Sequence, residues 1–159
     1  MSDPVTVVVV ESQDQVAVAR ELFLEYAAAI GVDLEYQGFS AELAALPSPY
    51  VPPAGGLFIA RVNGDTAGCI AVRRLDDKTG EIKRLYVRPE FRSWGLGKHL
   101  IAEAIETARR AGYTALRLDT LASMEAAQAL YRKLGFAEIP AYNNTHLPGT
   151  RFYEFNLAA

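Results

Sequence analysis

Arg92-Ser93-Trp94-Gly95-Leu96-Gly97 decides how the rest of the chain is read, because it joins a strand-like run, Glu81 to Val87, to a helix-like run, Gly97 to Ala111. At a helix start the first backbone N–H groups have no partners within the helix, and the macrodipole places roughly half a positive charge there. An anion is stabilised at such a point. Gly95 and Gly97 lack a Cβ, so the backbone can come close to a ligand, and Arg92 adds a charged, forked donor. The spacing Arg-x-x-Gly-x-Gly therefore reads as a loop that holds phosphate. It is not G-x-x-x-x-G-K-[ST], and no G-x-G-x-x-G follows the first strand, so neither a P-loop nor a dinucleotide fingerprint is present.

Working outward, the loop sits inside an alternation of strand and helix patterns. Upstream, a valine-rich strand precedes Ser12 and Gln15, a capping box that opens a helix through Val16, Ala19, Leu22, Phe23, Tyr26 and Ile30, ending at Gly31. Phe39 to Leu46 reads as a short second helix. Pro47, Pro49, Pro52, Pro53, Gly55 and Gly56 then make a loop suited to neither helix nor sheet, a candidate lid. Leu57 to Val62, Asn63-Gly64-Asp65 and Thr66 to Arg73 read as a hairpin, since Asn-Gly supplies the positive dihedrals of a tight turn. A turn around Asp76 to Gly80 leads into the Glu81 strand, making three antiparallel neighbours. Downstream, Leu96, Leu100, Ile101, Ala104, Ile105 and Ala108 form one apolar face of the helix after the loop. Thr114 to Asp119 is the next strand, joined to the Glu81 strand by a parallel crossover. Ser123 is placed to cap a final helix, Met124 to Leu134, and a last strand runs from about Arg151 to Leu157. Together these make one mixed α/β layer structure.

Composition narrows the function. Lys and Arg number 16 against 19 Asp and Glu, and the isoelectric point is near 5.4, so there is no broad basic field for a nucleic-acid backbone. Cys69 is the only cysteine, which excludes an internal disulfide and fits a reducing cytoplasm; no Cys/His spacing suits zinc. The apolar run from Val5 to Val10 is too short for a membrane span and reads as a buried strand. Neither nucleic acid nor membrane is expected as a partner, no metal is expected, and a homodimer is left open.

The loop, with GEIKRLYVRPEF before it and ALYRKLGF after it, resembles the GNAT superfamily of acetyl-CoA-dependent N-acetyltransferases, most closely from Gly80 to Phe136. The resemblance implies a single domain over residues 1–159. It would be built on a mixed, mostly antiparallel sheet of about six to seven strands, with helices on both faces and a splayed parallel strand pair. The splayed strands would be Glu81 to Val87 and Thr114 to Asp119, with the pantetheine arm of coenzyme A entering between them. By the same resemblance the backbone of Leu85, Tyr86 and Val87 would bind pantetheine. The amides of Arg92, Ser93, Trp94, Gly95, Leu96, Gly97 and Lys98 would hold the diphosphate. Trp94 could cover the adenosine or simply pack on the surface. Many relatives carry an asparagine seven residues before the last-helix tyrosine; here that position is Met124.

The implied reaction moves an acetyl group from acetyl-CoA to a primary amine of a small molecule, amino acid or peptide by direct attack in a ternary complex. The alternative is an acyl-CoA-binding sensor without turnover. A lysine-like amine has a pKa near ~10 and arrives protonated, so a base or a water relay must remove a proton. Glu81, 14 residues before Gly95, matches the offset of the glutamate base in some relatives. Its plainer reading is a solvated carboxylate near Lys83. A backbone N–H of Leu85 or Tyr86, aimed by a bulge, would stabilise the oxyanion. Tyr131 matches the tyrosine that protonates the departing thiolate, and could equally be a core residue. Cys69 reads as inert packing, and His99 and His146 as surface residues, His146 near the acceptor entrance. Glu25, Tyr26, Asp33, Glu35, Tyr36, Tyr50 and the turn from Tyr142 to His146 are candidates for acceptor binding.

Overall fold

The hairpin read around Asn63-Gly64 is the centre from which the sheet grows. Both turn residues have positive φ, 50° and 86°, as a tight two-residue turn between twisted strands requires. The computed structural model describes residues 3–145 and 147–158, so His146 lies outside the described residues. The strands are β1 (Val5–Val9), β2 (Gly56–Val62), β3 (Asp65–Asp76), β4 (Thr79–Val87), β5 (Ala115–Thr120), β6 (Ala137–Ile139) and β7 (Arg151–Asn156). They form one sheet in the order β1-β2-β3-β4-β5-β7-β6, antiparallel throughout except for the parallel pair β4 and β5.

Strand alternation sends successive side chains to opposite faces, and each face is covered by its own helices. Leu57, Ile59, Cys69 and Ala71 pack with Leu22 and Phe23 of α1 (Gln13–Ile30) and with Phe39 of α2 (Phe39–Ala45). Phe58, Ile70, Val72 and Ile82 pack with Leu96, Leu100 and Ile101 of α3 (Leu96–Arg110) and with Tyr131 of α4 (Glu125–Lys133). The Ser12–Gln15 capping box closes the start of α1 as expected. Ser123 does not cap α4. Met124 occupies the N-cap with no side-chain hydrogen bond to the helix, and Ser123 is exposed one residue earlier.

Three elements differ from the sequence expectation. A 3₁₀ turn at Leu34–Gln37 precedes α2, and another, Pro89–Trp94, occupies the front of the glycine loop. β6 is three residues long, below the length at which alternation carries a signal. The proline-rich loop after α2 is tied down at two points, while Pro49, Pro52 and Pro53 are exposed. Tyr50 is buried and donates its hydroxyl to Glu42 Oε2 at 2.9 Å, and Tyr113 donates to the Ala54 carbonyl at 2.5 Å.

Candidate active site

β4 and β5 pair at only three positions, Thr79 with Ala115, Gly80 with Leu116 and Glu81 with Arg117. Beyond Glu81 the strands part, and the edge of β4 facing β5 has no strand partner. On its other edge β4 carries a bulge. Cys69 pairs with Tyr86 and Ala71 with Lys83, so two steps on β3 span three on β4. Arg84 lies in this stretch with φ of 59°. A non-glycine residue in the left-handed region costs about 1–3 kcal/mol and persists only where its surroundings hold it. Here the Arg84 side chain, 2% exposed, donates Nη2 to Glu42 Oε1 at 2.7 Å and Nε to Glu42 Oε2 at 3.0 Å. Its guanidinium also stands over the rings of Tyr26 and Phe39. The bulge has a second effect: Lys83 and Arg84, consecutive in sequence, line the same cavity.

A cavity of about 600 Å³ opens on the α3–α4 side of the parting strands. Leu85, Tyr86, Val87, Arg92, Gly95, Leu96, Gly97 and Lys98 line it, joined by Tyr26, Met124, Leu130 and Tyr131. Ser93 and Trp94 belong to the same turn without lining this cavity, and Trp94 is 41% exposed. Gly95 is the N-cap of α3 with φ of 68°, and no side chain caps the helix, so its first amides are not satisfied from within. A Cβ on Gly97 would stand 2.8 Å from a Leu130 methyl, so glycine lets α4 close on the loop. Uncapped amides, Arg92 and Lys98 fit a diphosphate.

A second cavity, of about 580 Å³, lies on the opposite side, between α2, the proline-rich loop and the segment around Asn143. Between the two is a narrow space of about 40 Å³. It shares Tyr26, Ile30, Leu85, Met124 and Tyr131 with the first cavity, and Tyr36, Gln37, Lys83, Arg84 and Asp119 with the second. The gap between β4 and β5 is thus a passage with a chamber at each end.

Tyr131 lines both the passage and the first cavity. Its ring packs on Phe136 and Tyr153, and burial pushes its phenol above the ordinary tyrosine range, so it is protonated at neutral pH. Glu81 lines the second cavity but is not the solvated carboxylate of its plainer reading: it is 2% exposed. Oε1 accepts from Arg73 Nε at 2.8 Å, and Oε2 from the Tyr142 hydroxyl at 2.6 Å. Burial and this carboxylate hold the Tyr142 phenol protonated.

The remaining candidates separate clearly. Tyr36 and Tyr50 line the second cavity and Tyr26 lines the passage. Glu25 instead pairs with Arg88 at 2.7 Å, Asp33 caps the Leu34–Gln37 turn, and Glu35 holds the Ser40 amide and hydroxyl. Those three carboxylates line neither chamber nor the space between them. Cys69 is fully buried, lines neither chamber, donates to the Arg84 carbonyl at 3.3 Å, and has its thiol pushed up by burial. His99 is exposed. Among the described residues no group of three His, Cys, Asp or Glu could hold a metal ion, and no helix is long and apolar enough to cross a membrane.

Sequence reasoning did not find Arg73, Arg84, Glu42 or Asp119. Asp119 had a usable signal, because ligands of open α/β sheets gather at the carboxyl ends of parallel strands. The Arg84–Glu42 pair had none.

Residues 19–136 match the family model for the acetyltransferase (GNAT) family. The chain belongs to the GNAT acetyltransferases. It is therefore an acyltransferase of a family that uses acetyl-CoA as cosubstrate. An uncharacterized N-acetyltransferase of Schizosaccharomyces pombe is 36% identical to this GNAT enzyme over 141 residues, covering 87% of this chain and 86% of that protein. N-acetylaspartate synthetase of Danio rerio is 36% identical over 110 residues, 68% of this chain but 39% of that protein. Among solved structures, an acetyltransferase from Streptococcus agalactiae has the same fold, with a TM-score of 0.79 and 22% identity over 98% of this chain and 99% of that one. A Salmonella typhimurium structure solved with its cofactor acetyl-CoA has a TM-score of 0.67 and 21% identity over 99% and 98% of the two chains.

Proposed function

We propose that this chain, as a single N-acetyltransferase domain over residues 1–159, transfers the acetyl group of acetyl-CoA directly to a primary amine of a small molecule, amino acid or peptide in a ternary complex. The observation that carries this reading is the passage between β4 and β5, which joins the chamber under the glycine loop to the polar chamber beyond it. The lone, buried Cys69 suits a cytoplasmic enzyme.

Acetyl-CoA supplies an activated thioester. The amides of Gly95, Leu96, Gly97 and Lys98, with Arg92 and the Ser93 and Trp94 amides at the rim, bind the diphosphate. The unpaired edge of β4 at Leu85, Tyr86 and Val87 takes the pantetheine as an added strand. A Leu85 or Tyr86 backbone N–H, turned by the bulge at Arg84, stabilises the negative charge that develops on the carbonyl oxygen. Glu81 first takes a proton from the ammonium through water or the Tyr142 hydroxyl, so that the free amine nitrogen bonds to the carbonyl carbon, and as the carbon–sulfur bond breaks a second nitrogen proton leaves to water. Tyr131 returns a proton to the thiolate, leaving an amide and free coenzyme A. Desolvation weakens the phenol as an acid, and the same dry surroundings raise the proton affinity of the thiolate beside it.

Coenzyme A at a hundredfold excess over its Kd raises Tm by about 5–10 °C. Gly97→Glu removes this shift, because its Cβ meets Leu130 and its carboxylate enters the phosphate cradle. The variant's own unliganded melting curve separates lost binding from lost folding. An unchanged wild-type curve with coenzyme A would count against the site. A thiol-release screen over amines, amino acids, polyamines and peptides tests turnover; silence across it despite coenzyme A binding would favour a sensor.

Glu81→Gln lowers kcat/KM most at pH values where the acceptor amine is protonated, and the loss narrows as rising pH delivers the free amine. A pH–rate profile parallel to wild type would remove Glu81 from the base role.

A further inference from the structure

The second chamber contains three cationic side chains, Arg73, Lys83 and Arg84, and three carboxylates, Glu42, Glu81 and Asp119. Equal numbers hide an imbalance in what is left for a ligand. Both oxygens of Glu42 accept from Arg84, with Tyr50 adding a bond to Oε2. Both oxygens of Glu81 are taken by Arg73 and Tyr142, and Asp119 Oδ2 accepts from Asn143 Nδ2 at 3.0 Å. Glu42 and Glu81 are thus satisfied within the protein, while Asp119 Oδ1 accepts from no described residue.

Arg84 is paired with Glu42, but the other two cations are not matched in this way. Among the described residues Lys83 has no carboxylate within 4.0 Å, and its Nζ makes a 3.3 Å hydrogen bond to the neutral Gln37 Oε1. An ammonium has three donors, and the half-buried one of Lys83, without a close counter-ion, is held at a cost in free energy. Burial lowers the proton affinity of Lys83, and the charges of Glu81 and Asp119 oppose that shift only in part. Arg73 spends Nε on Glu81, and no described residue accepts from its Nη groups.

We infer that the chamber takes a primary amine that also carries a carboxylate, an amino acid or related amino-carboxylate. Its carboxylate is held by Lys83 and the Nη groups of Arg73, and its amine by Asp119 at the mouth of the passage. Asp119 lines both the passage and the chamber, which puts an amine bound there on the path to the other side. The inference rests on the N-acetyltransferase reading and names its acceptor class.

The test compares a set of α-amino acids with their α-carboxamides, by thiol release with acetyl-CoA and by calorimetric binding to the protein loaded with coenzyme A. The amides have an amine pKa near ~8 and so more free base at neutral pH, which runs against the predicted order. At least one amino acid is expected to exceed its amide by roughly ten- to a hundredfold in kcat/KM and in affinity. Lys83→Met is expected to narrow that ratio by about tenfold or more, with a retained coenzyme A thermal shift reporting an intact fold. Amides equal to or better than acids in both readouts, no amino acid bound, or an unchanged ratio in a folded Lys83→Met would overturn the inference. Thiol release from amines lacking a carboxylate would then leave the N-acetyltransferase reading standing. Amino acids that bind preferentially over their amides without thiol release would support this inference and count against turnover.

Discussion

Tyr131→Phe lowers kcat roughly a hundredfold or more, the usual loss when a positioned general acid is removed. Its effect on coenzyme A affinity is small by comparison. Phenylalanine keeps the ring that packs on Phe136 and Tyr153, with centroids 5.7 and 6.0 Å away, so the change is confined to the hydroxyl. The hydroxyl belongs to a residue lining both the passage and the first chamber, where a departing thiolate would have to be neutralised without bulk water. Single-turnover thiol release with saturating acetyl-CoA separates this step from product release. Wild-type turnover in the variant would make Tyr131 a core residue and nothing more.

Glu42→Ala has the largest expected effect on stability, a loss of about 3–5 kcal/mol. The Arg84 guanidinium would stay buried without its counter-charge, and the left-handed backbone of Arg84 would lose the contact that holds it. Tyr50, which donates to the same carboxylate, would lose its acceptor. Urea unfolding followed by the m-value and midpoint measures this directly. A loss below about 1 kcal/mol, the range of an ordinary surface ion pair, would show that the pair does not hold the bulge.

Several parts of the molecule were legible in the sequence because they depend on short-range chemistry. Ser12 and Gln15 cap α1 three residues apart, Asn63-Gly64 turns the first hairpin, and the apolar face from Leu96 to Ala108 sets α3 on the sheet. The parallel crossover followed from strand–helix–strand order, and the glycine loop from the chemistry of a helix start. Most of what lines the second chamber was not legible, since its organisation is long-range. Arg84 and Glu42 meet across 42 positions, and Tyr142 and Glu81 across 61. The Arg84 bulge depends on pairing across β3 and β4, and nothing in GEIKRLYV announces which residue takes the left-handed conformation. Glu25 and Glu35 looked like acceptor ligands for the same reason: sequence reveals a carboxylate but not that Arg88 or Ser40 has already claimed it.

In the proposed function the amides along the unpaired edge of β4 and at the start of α3 form one binding surface for coenzyme A. Amide hydrogen exchange, measured with and without saturating coenzyme A, tests it most directly. Peptides covering Leu85–Val87 and Gly95–Lys98 are expected to slow together on binding, while β1 and β2 on the far side of the sheet are unchanged. Exchange in both segments that is indifferent to bound coenzyme A would contradict it.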